Sequence, residues 1–144
     1  MNSTYSFLDL NGVIDHPSYG SFNIVGQGLG EATVSMATDK TVHDVAADGV
    51  VMISKMAGNN GSVTVNAQQT SDLHKFLLGL YNYLLYADTS EWAMINITLR
   101  NVVDGTSHFA TGVSFQKVPD KPYQAQGQRI SWVLMAADIQ HQTA

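Results

Sequence analysis

The chain has 144 residues, enough for one domain with a real core, and it carries 7 basic and 12 acidic side chains for a net charge of −5. It has no cysteine, which excludes disulfides, thiolate nucleophiles and cysteine metal sites. The basic residues are scattered, so none of them forms the cluster that neutralises a run of phosphates, and a sequence-specific nucleic-acid binder is disfavoured. Charged residues make up only 13% of the chain, against about 25% in a typical soluble domain. An ordinary neutral monomer has that composition, and so does a subunit whose surface is covered by other copies.

The N-terminal stretch MNSTYSFLDL has no basic region and no long apolar run, so it does not read as a secretory signal. Thr4 to Ile14 is strand-like, with Tyr5, Phe7 and Leu8 supplying its apolar content. His16 to Gly20 reads as a turn, and Ser21 to Val25 alternates with Phe22 and Ile24 on one face. Gly26, Gly28 and Gly30 punctuate a loop. It lacks the lysine and the following helix of a phosphate-binding loop. Ala32 to Ala46 reads as two short strands around a turn at Thr38 to Lys40, and Asp48-Gly49 marks another turn. Val50 to Met56 follows. GNNG at Gly58, Asn59, Asn60 and Gly61 reads as a hairpin turn, because Asn and Gly tolerate positive φ. Ser62 to Gln68 then alternates, with Val63, Val65 and Ala67 facing one way and Ser62, Thr64, Asn66 and Gln68 the other.

One helix is expected, at about residues 71–87. Thr70, Ser71 and Asp72 supply a cap and a negative charge at its positive end. Leu73, Phe76, Leu77, Leu80 and Leu84 form one apolar stripe, and Leu78, Tyr81 and Leu85 form a second. Lys75, Gly79, Asn82 and Tyr86 make a more polar strip, with His74 near it. The run is too short and too polar for a membrane span, which needs about 20 apolar residues. Two readings stand: a deeply buried core helix, or a helix with one face on its own sheet and another against a neighbouring subunit.

After the helix, Trp92 is placed to cover its end, and Met94 to Val102 alternates Ile95, Ile97 and Leu99 against Asn96, Thr98 and Arg100. Asp104-Gly105 marks a hairpin turn. Ser107 to Val118 is read with Phe109, Val113 and Phe115 sharing a face, and a proline-bracketed loop carries Tyr123. A last strand over about Gln128 to Ile139 puts Ile130, Trp132 and Leu134 on one face, with Val133 and Met135 making the other apolar too. A short polar tail ends the chain. The sum is a mainly β fold of one domain over 1–144: an antiparallel β-sandwich or partly closed barrel with one flanking α-helix.

No catalytic, cofactor-binding or metal site emerges. The five histidines show no metal-ligand spacing, and His43-Asp44 would point to opposite faces of a strand. No GxSxG elbow is present. Asp48 and Asp104 precede glycines and fit turn chemistry.

Several stretches together carry a family resemblance. They are AADG ending at Gly49, Ser54 with Ala57-Gly58, GSVTV from Gly61 to Val65 followed by Thr70-Ser71, the opening STYSFLDLNGVI, and FQKVPDKPYQAQGQRISWVLMAADI from Phe115 to Ile139. The chain resembles the tail tube proteins of contractile-tailed bacteriophages, which are related in fold to the tubes of type VI secretion systems and contractile bacteriocins. The resemblance implies a non-enzymatic virion protein without cofactors. Its copies would form hexameric rings that stack into a hollow inner tube, the conduit for DNA ejection, assembled in the host cytoplasm. Sheath, baseplate and tail terminator proteins would be its partners, and no membrane. The alternatives are another ring-forming tail component, such as a terminator, or a type VI or tailocin tube subunit. A small-molecule-binding barrel or hydrolase is the third class. The resemblance further implies about four strands per subunit in a shared barrel of about 24, which closes to roughly 48 Å across the backbone and roughly 35–40 Å inside the side chains, wider than duplex DNA at about 20 Å. On this reading Ser62, Thr64 and Asn66, or Asn96 and Thr98, line the lumen. Arg100 should find a carboxylate or lie elsewhere. Leu78, Tyr81 and Leu85, with Gly58, Asn59, Asn60 and Gly61, are expected at inter-subunit contacts, and the hairpin Val50 to Gln68 in the shared wall.

Overall fold

The computed structural model describes residues 4–6, 9–24 and 29–143. Phe7, Leu8, Val25, Gly26 and Gly28 of the expectations above lie outside the described residues. The strands are β1 (Leu10–His16), β2 (Gly20–Ile24), β3 (Leu29–Met36), β4 (Thr41–Val45), β5 (Val51–Lys55), β6 (Gly61–Gln68), β7 (Ile95–Asn101), β8 (Ser107–Phe115) and β9 (Arg129–Gln142). The helix α1 spans Asp72–Tyr86, and a short 3-10 turn covers Thr89–Glu91. Seven strands form one curled antiparallel sheet in the order β2-β1-β7-β8-β9-β6-β3, a half-barrel. The remaining two, β4 and β5, form a separate hairpin. The expected mainly β fold with a single α-helix is what the chain adopts.

The helix begins where the sequence places it. The Ser71 hydroxyl accepts a hydrogen bond from the His74 backbone N–H at 3.2 Å and donates to the Gln68 carbonyl at 2.7 Å, so one residue caps the helix and ties it to the end of β6. Leu73, Leu77, Leu80 and Leu84 are buried against Ile14, Val63, Val65, Ile95, Ile97, Val113, Trp132 and Leu134 of the sheet. These side chains come from alternate positions of each strand, which is why the period of 2 on the sheet and the period of 3.6 on the helix meet in one core. Trp132 lies at its centre with no exposed surface and rests edge-on against Phe115 at 5.4 Å between ring centroids.

His74 belongs to that core rather than to the polar strip. It is buried, and its Nδ1 accepts a hydrogen bond from the Trp132 indole Nε1–H at 3.0 Å. The proton of the neutral ring is therefore on Nε2, which is buried with no hydrogen-bond partner among the described residues. Burial first, and the positive charge of Lys121 second, hold its pKa below the usual imidazole value of 6.5. His16 likewise ends β1 instead of opening a turn. Its Nδ1 accepts from the Ser18 backbone N–H at 3.1 Å and its Nε2 donates to the Glu91 carbonyl at 3.0 Å, so the buried ring is satisfied at both nitrogens and pins the 3-10 turn to the sheet.

One further expectation fails for a plain physical reason. Strict alternation puts Phe109 with Val113 and Phe115, yet Phe109 pairs with Thr98 and Gln140 on the opposite face, while Ala110 joins the core. The cause is Gly112, in the left-handed region at φ 62°, where β8 inserts one residue against β7: Ile95 pairs with Val113 but Ile97 with Ala110. β9 makes the matching insertion, because Ala136 and Ile139 are both core residues although three positions apart. On its other side the Ile139 N–H reaches the Asn59 carbonyl at 2.8 Å, beyond the Gly61–Ala136 pair. A seam of extra residues thus crosses the sheet from Asn60 through Ala137-Asp138 and Thr111-Gly112 to Asn96. Bulges bend strands and increase their twist, which accounts for the curl.

The GNNG stretch is not a hairpin turn. β5 pairs only with β4, and β6 pairs with β3 and β9, so Val50 to Gln68 is no single hairpin. Gly58 to Asn60 runs instead as the return leg of the β4–β5 arm, and Gly61 is already the first residue of β6. Lys40 Nζ donates to the Gly58 carbonyl and Asn59 Oδ1, Thr38 Oγ1 donates to Asn60 Oδ1 at 2.8 Å, and the Ala37 N–H reaches the Asn60 carbonyl at 3.0 Å. These bonds fasten the base of the arm, and they satisfy Asn side chains that a turn would have used for positive φ. Of the expected polar tail, Gln140, His141 and Gln142 extend β9.

Candidate assembly surfaces

Three surfaces remain after the core is closed. The first is the face of the sheet opposite the helix. Both sets of predicted lumen residues lie on it: Ser62, Thr64 and Asn66 on β6, and Asn96 and Thr98 on β7. Two strands separate β6 from β7, so the sets stand about 14 Å apart at the usual strand spacing. Between them lie Ser114 of β8 and Ser131, Val133 and Met135 of β9, by register with Ser62, Thr64 and Asn66. Each set sits beside a carboxylate. Asn66 Nδ2 donates to Glu31 Oε2 at 3.3 Å, with Thr33 Oγ1 on the other oxygen at 3.2 Å, and Asn96 is opposite Asp15. Arg100 lies at the far end of β7 on the same face, opposite Asn11 and Ser107 rather than a carboxylate.

The second surface is the C-terminal end of the helix. Leu85 is 50% exposed and Tyr86 87% exposed, and Tyr83 shows an edge while its hydroxyl donates to Glu91 Oε2 at 3.2 Å. Leu78 and Tyr81, expected in the same stripe, are half-buried on their own chain. Tyr81 stands edge-on to Phe115 at 5.6 Å and to Trp92 at 6.4 Å. Of the second stripe, Leu85 is the residue left most exposed.

The third surface is the β4–β5 arm. Register places Val45, Val51 and Ile53 on one of its faces with His43, and Val42 and Met52 on the other with Asp44. All of these are exposed, Ile53 at 67% and Val45 at 64%. At its tip Gly49 takes φ 89° and Asp48 Oδ1 accepts from the Val50 N–H at 3.0 Å, the turn expected from Asp48-Gly49. A two-stranded hairpin is marginal by itself in water, and this one shows apolar side chains on both sides. Sequence reading sees the strands but misses the arm, because alternation does not say which strand has a neighbour. The available signal is the pile-up of Val, Met and Ile on both parities of Val50 to Met56.

Among the described residues no group of three or more His, Cys, Asp or Glu side chains is placed to hold a metal ion. No helix among the described residues is long and apolar enough to cross a membrane.

Residues 2–143 match the profile of the bacteriophage PhiTE tail tube protein family. The chain belongs to this phage tail tube family. It is thus a structural virion component and not an enzyme. Solved structures share its fold at low identity. The chain is similar to a protein of the sheath-tube complex of the extracellular contractile injection system PVC in its extended state, with TM-score 0.62 and 8% identity over 98% of this chain and 93% of that one. It is similar to the tube-terminating cap of the anti-feeding prophage, with TM-score 0.62 and 10% identity over 100% and 94%. It is also similar to a chain of the six-fold symmetrised baseplate of that prophage, with TM-score 0.64 and 11% identity over 99% and 97%. A search of curated protein sequences returns no match.

Proposed function

We propose that six copies of this tail tube protein close into a ring, that rings stack into the inner tube of a contractile tail, and that DNA leaves the virion through it. The observation that carries the proposal is the β4–β5 arm, whose apolar residues on both faces are exposed among the described residues. A second copy is the occupant that fits, because a head-to-tail contact between identical subunits repeats without end and builds a tube. The face bearing Ser62, Thr64, Asn66, Asn96 and Thr98 turns toward the lumen. The two sets are short and carry no charge of their own, and Glu31 and Asp15 beside them add a weak field that repels phosphates, with Arg100 at the far end of β7 as a cation on the same face. Leu85, Tyr86 and Tyr83 pack against the neighbour within a ring. Gly58, Asn59 and Asn60 act at the arm's base, where they set its direction, while buried Gly61 contributes through its own sheet. The outer partners are sheath, baseplate and terminator proteins, and assembly takes place in the host cytoplasm.

The likeness to a tube-terminating cap, as close as that to the sheath-tube protein, supports a second reading as a terminator-like ring. Electron microscopy of the purified chain separates the two: long hollow tubes are expected, and isolated rings would give the second reading instead. Leu85→Asp should block ring formation with little effect on the isolated fold. Normal rings from that variant would remove the helix end from the subunit contact.

A further inference from the structure

One group of nitrogen donors lies apart from the surfaces above. His108 of β8 and His141 of β9 are direct cross-strand partners. Their Nδ1 atoms are 2.7 Å apart, with ring centroids at 4.9 Å and planes at 80°. On the other side of His141, its Nε2 is 3.4 Å from the sulfur of Met36, the last residue of β3. A thioether has no hydrogen to donate, so the contact places the His141 proton on Nε2. Nδ1 of His141 is then a bare lone pair aimed at His108, and His108 supplies the proton of the short Nδ1–Nδ1 bond. Both rings remain open enough to solvent to admit an ion.

We propose that His108 and His141 form a two-imidazole site for a divalent d-block cation, Cu²⁺ foremost, with Met36 as the positioning residue that fixes the His141 tautomer. The ion takes the place of the shared proton. That proton moves through solvent from His108 Nδ1 to His108 Nε2, so both rings stay neutral, no proton is released, and both Nδ1 lone pairs close on the metal. With the two nitrogens cis on the ion, nitrogen–metal bonds of about 2.0–2.1 Å put the Nδ1 atoms about 0.1–0.3 Å further apart than they are, and each ring turns so that its lone pair meets the ion beside the N–N line rather than on it. Met36 is not a ligand to the same ion, since it faces the opposite nitrogen. It holds the second nitrogen, the position that hydrogen-bond acceptors occupy in established histidine metal sites. Two imidazoles completed by water suit tetragonal Cu²⁺, which also stands highest in divalent affinity, ahead of Ni²⁺ and Zn²⁺. The bound ion would clamp the ends of β8 and β9 beside Met36, where the chain leaves the sheet for the arm.

The test uses the untagged, chelator-treated full chain, with CuCl₂ followed by calorimetry and electron paramagnetic resonance, and NiCl₂ and ZnCl₂ as comparators. One saturable Cu²⁺ per chain with two-nitrogen coupling is expected, together with a melting temperature raised by several degrees at hundredfold excess over Kd. His108→Gln and His141→Gln should each weaken binding at least tenfold while the circular dichroism spectrum stays unchanged. Met36→Leu should weaken it less and change the resonance parameters. His43→Gln, on the arm, should change nothing. Binding that survives both His108→Gln and His141→Gln, binding that is lost in His43→Gln, or no saturation below about 1 mM would each overturn the site.

Discussion

The half-barrel and the arm are built from the same kinds of residue and end in opposite states. In the half-barrel, Val63, Val65, Ile95, Ile97 and Trp132 are almost wholly buried, since each strand has a neighbour and the helix lies across them. In the arm, Val42, Val45, Val51, Met52 and Ile53 are exposed, because β4 and β5 have only each other. Side-chain chemistry does not distinguish the two regions; the number of partners does. The body buries its core side chains within one chain. The arm leaves its apolar side chains exposed, so under the proposed tube assembly the two should respond oppositely to mutation.

The largest expected effect on the fold is in the body. Trp132→Ala removes the central side chain and its bond to His74, and should cost about 3–5 kcal/mol in urea unfolding. A loss under about 1 kcal/mol would mean that the core does not rest on this residue. Next is the junction of the two regions. Gly61 lies where an added Cβ would run into the Ser35 backbone carbonyl, which cannot yield as a side chain would. Gly61→Ala should therefore cost about 1–3 kcal/mol, and an unchanged denaturation midpoint would show that the base of the arm is loose.

A smaller effect concerns pH. His74 has a lowered pKa in the fold, so below about 6.5 the unfolded chain binds more protons than the folded one. The stability that neutral His74 contributes is present above that value and is lost as pH falls beneath it. His108, also lowered, acts with the same sign. His74→Gln should flatten part of the acid-side slope in melts between pH 7 and 5; a slope identical to that of the parent would place the sensitivity elsewhere. The smallest effect on the isolated fold is expected in the arm. Ile53→Asp should move monomer stability by no more than about 0.5 kcal/mol, yet remove stacked tubes from electron micrographs. Tubes of normal length from that variant would show that the arm does not carry the stacking.

Much of the body was legible from the chain. Ser71 caps the helix within one residue of the expected start, and the wet and dry faces of β6 and β7 follow strict alternation. Alternation failed where a strand inserts a residue. Phe109 changes face because Gly112 adopts a left-handed conformation, and the sequence does not mark Gly112 apart from its other glycines. His74 and His16 were misplaced for a related reason. Imidazole is polar by type, but it is at home in a core when an indole N–H, a backbone N–H or a carbonyl meets it, and those partners are distant along the chain. The lumen candidates share one face as alternation requires. Which way that face turns is a property of the ring, not of the chain.

The sequence by itself determined what is local: a cysteine-free mainly β chain, the capped helix over Asp72–Tyr86, the Asp-Gly turns and the alternating faces, all set by periods and short-range hydrogen bonding. The tertiary structure decided what depends on distant partners. Pairing sent β5 to β4 and β6 to β3 and β9, which turned Gly58 to Asn60 from a turn into the root of an arm. The physical reason is that a strand's backbone groups and apolar side chains are satisfied by whichever neighbour lies beside them, and sequence spacing does not name that neighbour.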